Sequence, residues 1–251
     1  MNMKSPDRKL WVMITGGTRG IGKGLVEAFC AAGYDVVFTY QSSRASAEAL
    51  EQAMREKGFV AQAYCCDGAD QIAMQDLARD LITTRGAPYA LVNNMGITRD
   101  TVLMRMSGEQ WNEVINTNLN SAFYATRAFI DAMLNEGDGV VLQMSSVSGF
   151  KGNIGQSNYA ASKAAMIGMT RALALELGRF NIRVNAIAPG YIATEMVSEI
   201  PEKKLKSILD TIPLRRMGSV EEVANLATFL ANPQSAYITG QTFVIDGGLS
   251  A

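Results

Sequence analysis

Leu10-Trp11-Val12-Met13-Ile14-Thr15-Gly16-Gly17-Thr18-Arg19-Gly20-Ile21-Gly22 is the stretch that decides the fold. Five apolar residues run without interruption from Leu10 to Ile14, the pattern of a strand covered on both faces of a parallel sheet. Behind the glycines, Ile21, Leu25 and Phe29 recur at helical spacing. A strand, a glycine-rich turn and a helix in that order make a cradle for phosphate. Glycines allow a tight turn, a close approach of backbone to pyrophosphate and a close helix–strand contact, with the helix N-terminus facing the anion. The spacing here is Gly-x-x-x-Gly-x-Gly over Gly16, Gly20 and Gly22, and its setting between strand and helix points to a dinucleotide site.

The same alternation continues along the chain. Strands are predicted at Leu10–Thr15, Asp35–Tyr40, Val60–Cys65, Tyr89–Asn93, Gly139–Ser145, Arg183–Ala188 and Thr242–Ile245, with helical patterns between them, such as Val220, Val223, Ala224, Ala227 and Leu230. Right-handed βαβ crossovers then predict an α/β fold of Rossmann type, a doubly wound parallel sheet of about seven strands with helices on both faces. With 251 residues, a single domain spanning 1–251 is expected. The one irregular region is Gly190 to Arg216, where Pro201 and Pro213 flank a charged helical pattern at Glu202–Asp210. A segment there, beyond a strand's carboxyl end, is expected to serve as a substrate lid within 190–216.

Composition narrows the chemistry. Lys and Arg number 23 against 24 Asp and Glu, so no basic excess points to nucleic acid. Met1–Leu10 is short and charged, which predicts no signal peptide, and no apolar run approaches the roughly 18 residues of a spanning helix. A cytoplasmic location and no membrane association are expected. Three cysteines, Cys30, Cys65 and Cys66, without Cys-x-x-Cys spacing, argue against a disulfide framework or a zinc site. The most useful number is zero histidines. Imidazole bases, histidine triads and histidine-ligated metals are excluded, so proton transfer near neutrality needs another side chain with a displaced pKa.

The end of the second strand bears on the cofactor. A carboxylate there would bind ribose hydroxyls, but the chain reads Thr39-Tyr40-Gln41-Ser42-Ser43-Arg44, and Asp35 sits at the strand's other end. Arg19 in the turn and Arg44 past the strand could hold a 2′-phosphate, which points to NADP(H).

Tyr159 and Lys163 lie four apart in a helical pattern from about Ser157 to Gly178, one turn apart on one face. Tyrosine ordinarily titrates near ~10, and a lysine ammonium at ~5 Å in an effective dielectric of ~20 supplies about 3 kcal/mol toward the phenolate. The pair is therefore expected to lower the tyrosine pKa and to act as acid and base. Ser146 ends the fifth predicted strand thirteen residues before Tyr159, where its hydroxyl could donate to the same substrate oxygen. Asn116-Thr117-Asn118 interrupts a helical stretch with poor helix formers. An asparagine there could hold a water that connects to Lys163.

With these motifs the sequence resembles the short-chain dehydrogenase/reductase family along essentially its whole length. The family's glycine turn matches Thr15 to Gly22, and its Asn–Ser–Tyr–Lys tetrad falls on Asn118, Ser146, Tyr159 and Lys163. The resemblance implies nicotinamide-end contacts from Pro189, Gly190, Ile192 and Thr194, an adenine contact from Asp67 with Gly68 beside it, and further cofactor contacts from Asn94 and Gly96. With Gly16, Thr18, Arg19, Gly20, Ile21, Gly22, Gln41, Arg44, Tyr159 and Lys163, these make up the expected cofactor site. One motif departs: the family's Asn-Asn-Ala-Gly reads Asn93-Asn94-Met95-Gly96, so Met95 must point elsewhere or reshape the wall beside the adenosine.

Gly96–Asp100, Leu103–Met106, Ala236–Gln241 and Asp246–Gly248 resemble bacterial β-ketoacyl-(acyl-carrier-protein) reductases, while Trp111–Leu119 and Pro189–Thr194 are equally similar to acetoacetyl-CoA reductases. Either resemblance implies NADPH-dependent reduction of a β-ketoacyl thioester, carried on acyl carrier protein or on CoA. A non-catalytic NADP-binding scaffold is the remote alternative, weighed down by the intact tetrad. An acidic carrier protein requires basic residues near the site mouth. Arg99, Arg105, Lys151, Arg179 and Arg183 could provide them if they share a face, whereas Glu136 and Asp138 would repel it. The family resemblance also implies a homotetramer, pairing the long helices around Asn118 and Tyr159 at one interface and the C-terminal strand near another.

Overall fold

The computed structural model describes residues 9–194 and 202–251. β1 (Trp11–Ile14), β2 (Asp35–Tyr40), β3 (Ala61–Cys65), β4 (Ala90–Asn93), β5 (Gly139–Met144), β6 (Ile182–Pro189) and β7 (Thr242–Ile245) form one parallel sheet in the order β3-β2-β1-β4-β5-β6-β7. Every strand read from the sequence is present, its ends within one residue of the expected ones. The order reverses between β1 and β4, so the crevice of the doubly wound sheet opens there, beyond the carboxyl ends of the strands.

The continuous apolar strands are explained by what covers them. Val12 and Ile14 of β1 join Val36 and Phe38 of β2 in a core under α1 (Gly20–Ala31), α2 (Arg44–Glu56) and α9 (Val220–Ala231). Trp11, Met13 and Val37 point the other way, into a second core under α3 (Gln71–Arg85), α5 (Ser121–Glu136) and α7 (Ser157–Leu177). Successive residues thus fill opposite layers. α1 and α9 touch so closely that a Cβ on Gly24 would lie 2.0 Å from Val220 Cγ1.

Shorter elements decorate the carboxyl edge. α4 (Gly108–Ile115) follows β4, and α6 (Ser148–Lys151) follows β5. Within the irregular region, the charged pattern forms α8 (Glu202–Thr211), and residues 195–201 of the expected lid lie outside the described residues. The chain beyond α8 is anchored: Ile212 is buried, the Leu214 N–H donates to the Gly247 carbonyl at 3.1 Å, and Arg216 pairs with Glu222 at 2.6 Å. Among the described residues, no helix is long and apolar enough to cross a membrane.

The topology corrects the expected basic face. Arg183 is the second residue of β6, and Glu136 and Asp138 precede β5, so all three lie at the amino edge of the sheet. Five residue steps separate Gly139 from Met144, roughly 17 Å, and Tyr159 is at the far end. Arg179, in the turn before β6, stacks over the Phe180 ring at that same amino edge. Within one chain, neither these arginines nor the acidic loop borders the site mouth. Arg183 is instead buried, donating to the carbonyls of Leu230 at 2.6 Å, Ala231 at 3.3 Å and Asn232 at 3.3 Å. Its cation closes the carboxyl end of α9, where the helix dipole is negative and the last carbonyls lack intrahelical partners. Arg183→Met leaves the Leu230 carbonyl without its donor, while the Ala231 carbonyl keeps the Tyr89 hydroxyl at 2.8 Å, and is expected to destabilise the protein by about 1–3 kcal/mol in urea unfolding, without a change in substrate specificity.

Candidate active site

The turn after β1 is built on glycine conformations. Gly16 has φ 69° and Gly20 φ 50°, left-handed values that favour glycine, and a Cβ on Gly22 would stand 2.0 Å from the Gly16 carbonyl oxygen. Arg19 caps α1 without a side-chain hydrogen bond, and the first turn carries no acid, so its N–H groups face the crevice as an anion site. Thr194, from beyond β6, comes back over this point, its Cγ2 3.4 Å from where a Cβ on Gly20 would be. The chain thereby brings together two ends of the expected cofactor site that are remote in sequence.

Asn94 braces the turn. Its Nδ2 donates to the carbonyls of Thr15 at 3.1 Å and Gly16 at 2.9 Å, while Thr15 Oγ1 accepts from the N–H groups of Asn94 at 3.0 Å and Met95 at 3.1 Å. The amide side chain stitches the glycine turn to the β4 loop. Asp67 is exposed at the crevice rim, where its carboxylate accepts from the Ala69 N–H at 2.9 Å, beside buried Gly68. At the β2 end, Gln41 and Arg19 are exposed, and Arg44 pairs with Glu48 at 2.7 Å. Asp35, at the opposite end of β2, pairs with Lys9 at 2.7 Å. Pro189 ends β6, and its carbonyl accepts from the Val147 N–H at 3.1 Å; buried Ile192 makes a parallel bridge to Gly218. The surroundings fit a dinucleotide: glycines wherever a Cβ would fill the cradle, and an uncapped helix N-terminus at its base.

At the ends of β4 and β5 the tetrad residues converge. Ser146 lies close enough to the Tyr159 hydroxyl to bear on its ionisation, and Lys163 Nζ lies 5.6 Å from the Tyr159 ring centroid. The backbone at Gly96 passes so close that a Cβ there would meet Asn118 Oδ1 at 3.3 Å and Lys163 Nζ at 3.4 Å. Asn118 is buried in a π-helical turn, Asn116–Asn120, that joins α4 to α5. This is the physical form of the helix interruption read from the sequence. Its side chain exchanges hydrogen bonds with Ile97, accepting from the N–H at 2.8 Å and donating to the carbonyl at 3.0 Å, and donates to Ser162 Oγ at 3.1 Å.

Several positioning residues were not among those read from the sequence. Ser145 Oγ donates to the Lys163 carbonyl at 2.8 Å, and Ser162 Oγ donates to the Tyr159 carbonyl at 2.7 Å. Buried Asn158 accepts from the Tyr159 N–H at 2.8 Å and donates to the carbonyls of Arg99 at 3.2 Å and Gln110 at 3.3 Å. A second rim network links Gln156, which donates to Asp100 at 2.9 Å, with Ser148 and Asn153. Polar residues inside the first turns of α7, at Asn158 and Ser162, were the available hint.

The electrostatics overturn one expectation. Burial pushes the Tyr159 pKa up, an effect that Asp100 reinforces and the Ser146 hydrogen bond opposes. Lys163 is itself desolvated. Burial brings its pKa down to about 8, and its ammonium donates to the Met144 carbonyl at 2.7 Å. Buried Lys163 and half-buried Tyr159 each disfavour charge, and the ammonium lies over the ring. Tyr159 is therefore held as a neutral proton donor.

A family described as enoyl-(acyl carrier protein) reductase matches residues 16–250. The chain belongs to the short-chain dehydrogenase/reductase family. Within it, the chain is 42% identical over 240 residues to a 3-oxoacyl-[acyl-carrier-protein] reductase of Thermotoga maritima, covering 94% of this chain and 96% of that one. It is 38% identical over 237 residues to the reductase of the same name from Staphylococcus aureus (94% and 96%). The Staphylococcus epidermidis counterpart is 36% identical over 237 residues (94% and 97%).

A buried lysine is a stability cost with a definite pH signature. Its folded pKa of about 8 lies below the ordinary 10.5, so below pH 8 the folded state carries a penalty of about 3 kcal/mol that fades as pH rises from about 8 to 10.5. Lys163→Met is expected to raise the unfolding midpoint at pH 7 by several degrees, the gain vanishing across that window. Differential scanning calorimetry from pH 7 to 10.5 measures it.

Proposed function

We propose that this protein reduces a β-ketoacyl thioester to the β-hydroxyacyl thioester, with NADPH as reductant and acyl carrier protein as the carrier, in fatty-acid or related polyketide-type synthesis. The observation that carries the reading is the meeting of Ser146 and Tyr159 at the carboxyl end of β5, with Lys163 over the Tyr159 ring and Gly96 passing beside it. Two converging hydroxyls suit a carbonyl oxygen, which accepts two hydrogen bonds, better than a carbon–carbon double bond. The relatives named for 3-oxoacyl reduction support the same choice.

When bound, the nicotinamide supplies the hydride to the β-carbon. Ser146 donates a hydrogen bond to the β-keto oxygen and polarises the carbonyl. Tyr159 gives its proton to that oxygen as charge develops there, and its raised pKa keeps the proton in place across neutral pH. Lys163 places a cation over the Tyr159 ring, and Asn118 borders the same small space as Gly96 and Lys163. Arg19, with Arg44 released from Glu48, would favour the 2′-phosphate of NADP(H), and Asp67, Gly68 and Gln41 would border the adenosine. Among the basic residues read from the sequence, Arg99, Arg105 and Lys151 follow strands at the site end. Of these, Arg99 pairs with Glu113 at 2.5 Å and Lys151 donates to the Leu249 carbonyl at 2.7 Å.

The chain is further inferred to act as one catalytic unit in the cytoplasm and to assemble as a homotetramer. Exposed apolar side chains on α5 (Phe123), α7 (Leu175) and the edge strand β7 (Val244) support self-association.

One β-ketoacyl group presented on acyl carrier protein and on CoA tests the carrier. A strong preference for the protein-bound form is expected; equal rates would overturn the carrier assignment and favour CoA. Tyr159→Phe is expected to lower turnover roughly 10²–10⁴-fold while NADPH titration shows affinity within a few-fold of wild type. High residual turnover would remove Tyr159 from the proton donor's role. The pH profile follows from Lys163: kcat/KM for NADPH, which reports the free enzyme, should be flat below about pH 8 and fall above it as the ammonium deprotonates.

A further inference from the structure

We propose that Met95 is a binding residue for the adenine ring, its thioether forming one wall of the recess, and that position 68 is glycine to make room for it. The inference rests on the dinucleotide reading above. In a doubly wound sheet whose pyrophosphate sits at the β1–α1 turn, the adenosine ribose lies at the carboxyl end of the second strand. In this sheet β3 is the next strand outward, so the adenine reaches the loop that follows it.

Met95 spans the distance between those two places. Its backbone lies on the first glycine of the turn, where a Cβ on Gly16 would meet Met95 Cα at 3.2 Å. Its tip lies on the loop after β3, where a Cβ on Gly68 would meet Met95 Cε at 2.7 Å and Sδ at 3.1 Å, with Ser121 Cβ at 3.6 Å. β3 and β4 are not neighbours in the sheet, since β2 and β1 lie between them. One long side chain therefore closes a gap two strands wide along the adenosine half of the crevice.

Gly68 has no left-handed φ, so its backbone does not require glycine. What requires it is the thioether overhead. Met95 is only half-buried, which leaves part of the side chain facing outward from this wedge. An unbranched, polarisable thioether is suited to lie against an aromatic face or edge, and it adapts its rotamer to the ring it meets. A Cβ at position 68 would displace that flexible tip toward the space the ring needs.

The test is a double-mutant cycle, Met95→Ala, Gly68→Ala and both together. Dissociation constants are measured by fluorescence or calorimetry for NADPH, for 2′,5′-ADP (the adenine half) and for reduced nicotinamide mononucleotide (the other half), with thermal unfolding as the check on folding. Met95→Ala is expected to weaken NADPH and 2′,5′-ADP about five-fold and to leave the mononucleotide unchanged. Gly68→Ala is expected to weaken the same two ligands about ten-fold when Met95 is present and less than two-fold when it is alanine. Affinities within two-fold of wild type for Met95→Ala, equal losses on the mononucleotide, or additive effects of the two substitutions would overturn the proposal. The Met95→Ala arm stands by itself if Gly68→Ala does not fold. Wild-type protein that binds neither NADPH nor 2′,5′-ADP would instead overturn the dinucleotide reading, and this inference with it.

Discussion

The clasp between Thr15 and Asn94 is the contact on which the rest of the site depends. It joins the two strands at which the sheet reverses direction, with the Asn94 amide holding the carbonyls of Thr15 and Gly16 and the Thr15 hydroxyl holding the N–H groups of Asn94 and Met95. Without it, the glycine turn and the β4 loop would be two independent excursions. With it, Met95 is aimed at the β3 loop, and Gly96 is carried to within contact distance of Asn118 and Lys163. A handful of hydrogen bonds between loops thus sets the width of the crevice and the position of the groups at its floor.

Below that clasp, the chain accepts an unfavourable burial. Among the described residues no carboxylate pairs with Lys163; the Met144 carbonyl receives its ammonium, and desolvation is what shifts its pKa. Tyr159, in the same apolar surroundings, is kept protonated. Both shifts have one cause, exclusion of water at the carboxyl end of β5, and together they leave a neutral acid beside a cation that is ready to give up its proton. Stability is lost where chemistry needs a group far from its ordinary pKa. Arg183 shows the contrasting solution, a buried cation matched to three helix-end carbonyls and remote from the reaction.

The comparison with acidic and basic docking residues carries a related lesson. Glu136 and Asp138 are close in sequence to β5, whose far end carries the site, yet a strand separates them from it. In a parallel sheet all the carboxyl ends lie together and all the amino ends lie together, so a residue's side of the strand matters more than its distance along the chain. That rule assigns Arg179 and Arg183 to the other edge and leaves the loops after β4 and β5 as the rim.

Much was legible in the residues themselves. Uninterrupted apolar strands between amphipathic helices dictated the doubly wound sheet, because a strand buried on both faces cannot alternate. The absence of histidine, with Tyr159 and Lys163 one helical turn apart, pointed to the proton-transfer pair, because local spacing suffices to place side chains on one helix face. Asn118 was visible as a helix interruption, though not as a π turn. Local patterns do not encode what water is excluded from, so the direction of the Tyr159 shift was misread from a simple ion-pair estimate. Nor do they encode which distant atoms meet. The Thr15–Asn94 clasp, the Asn158 and Ser162 supports and the seat of Met95 on Gly68 all join residues from separate elements, and only the packing of strands and loops at one edge of the sheet brings them within reach.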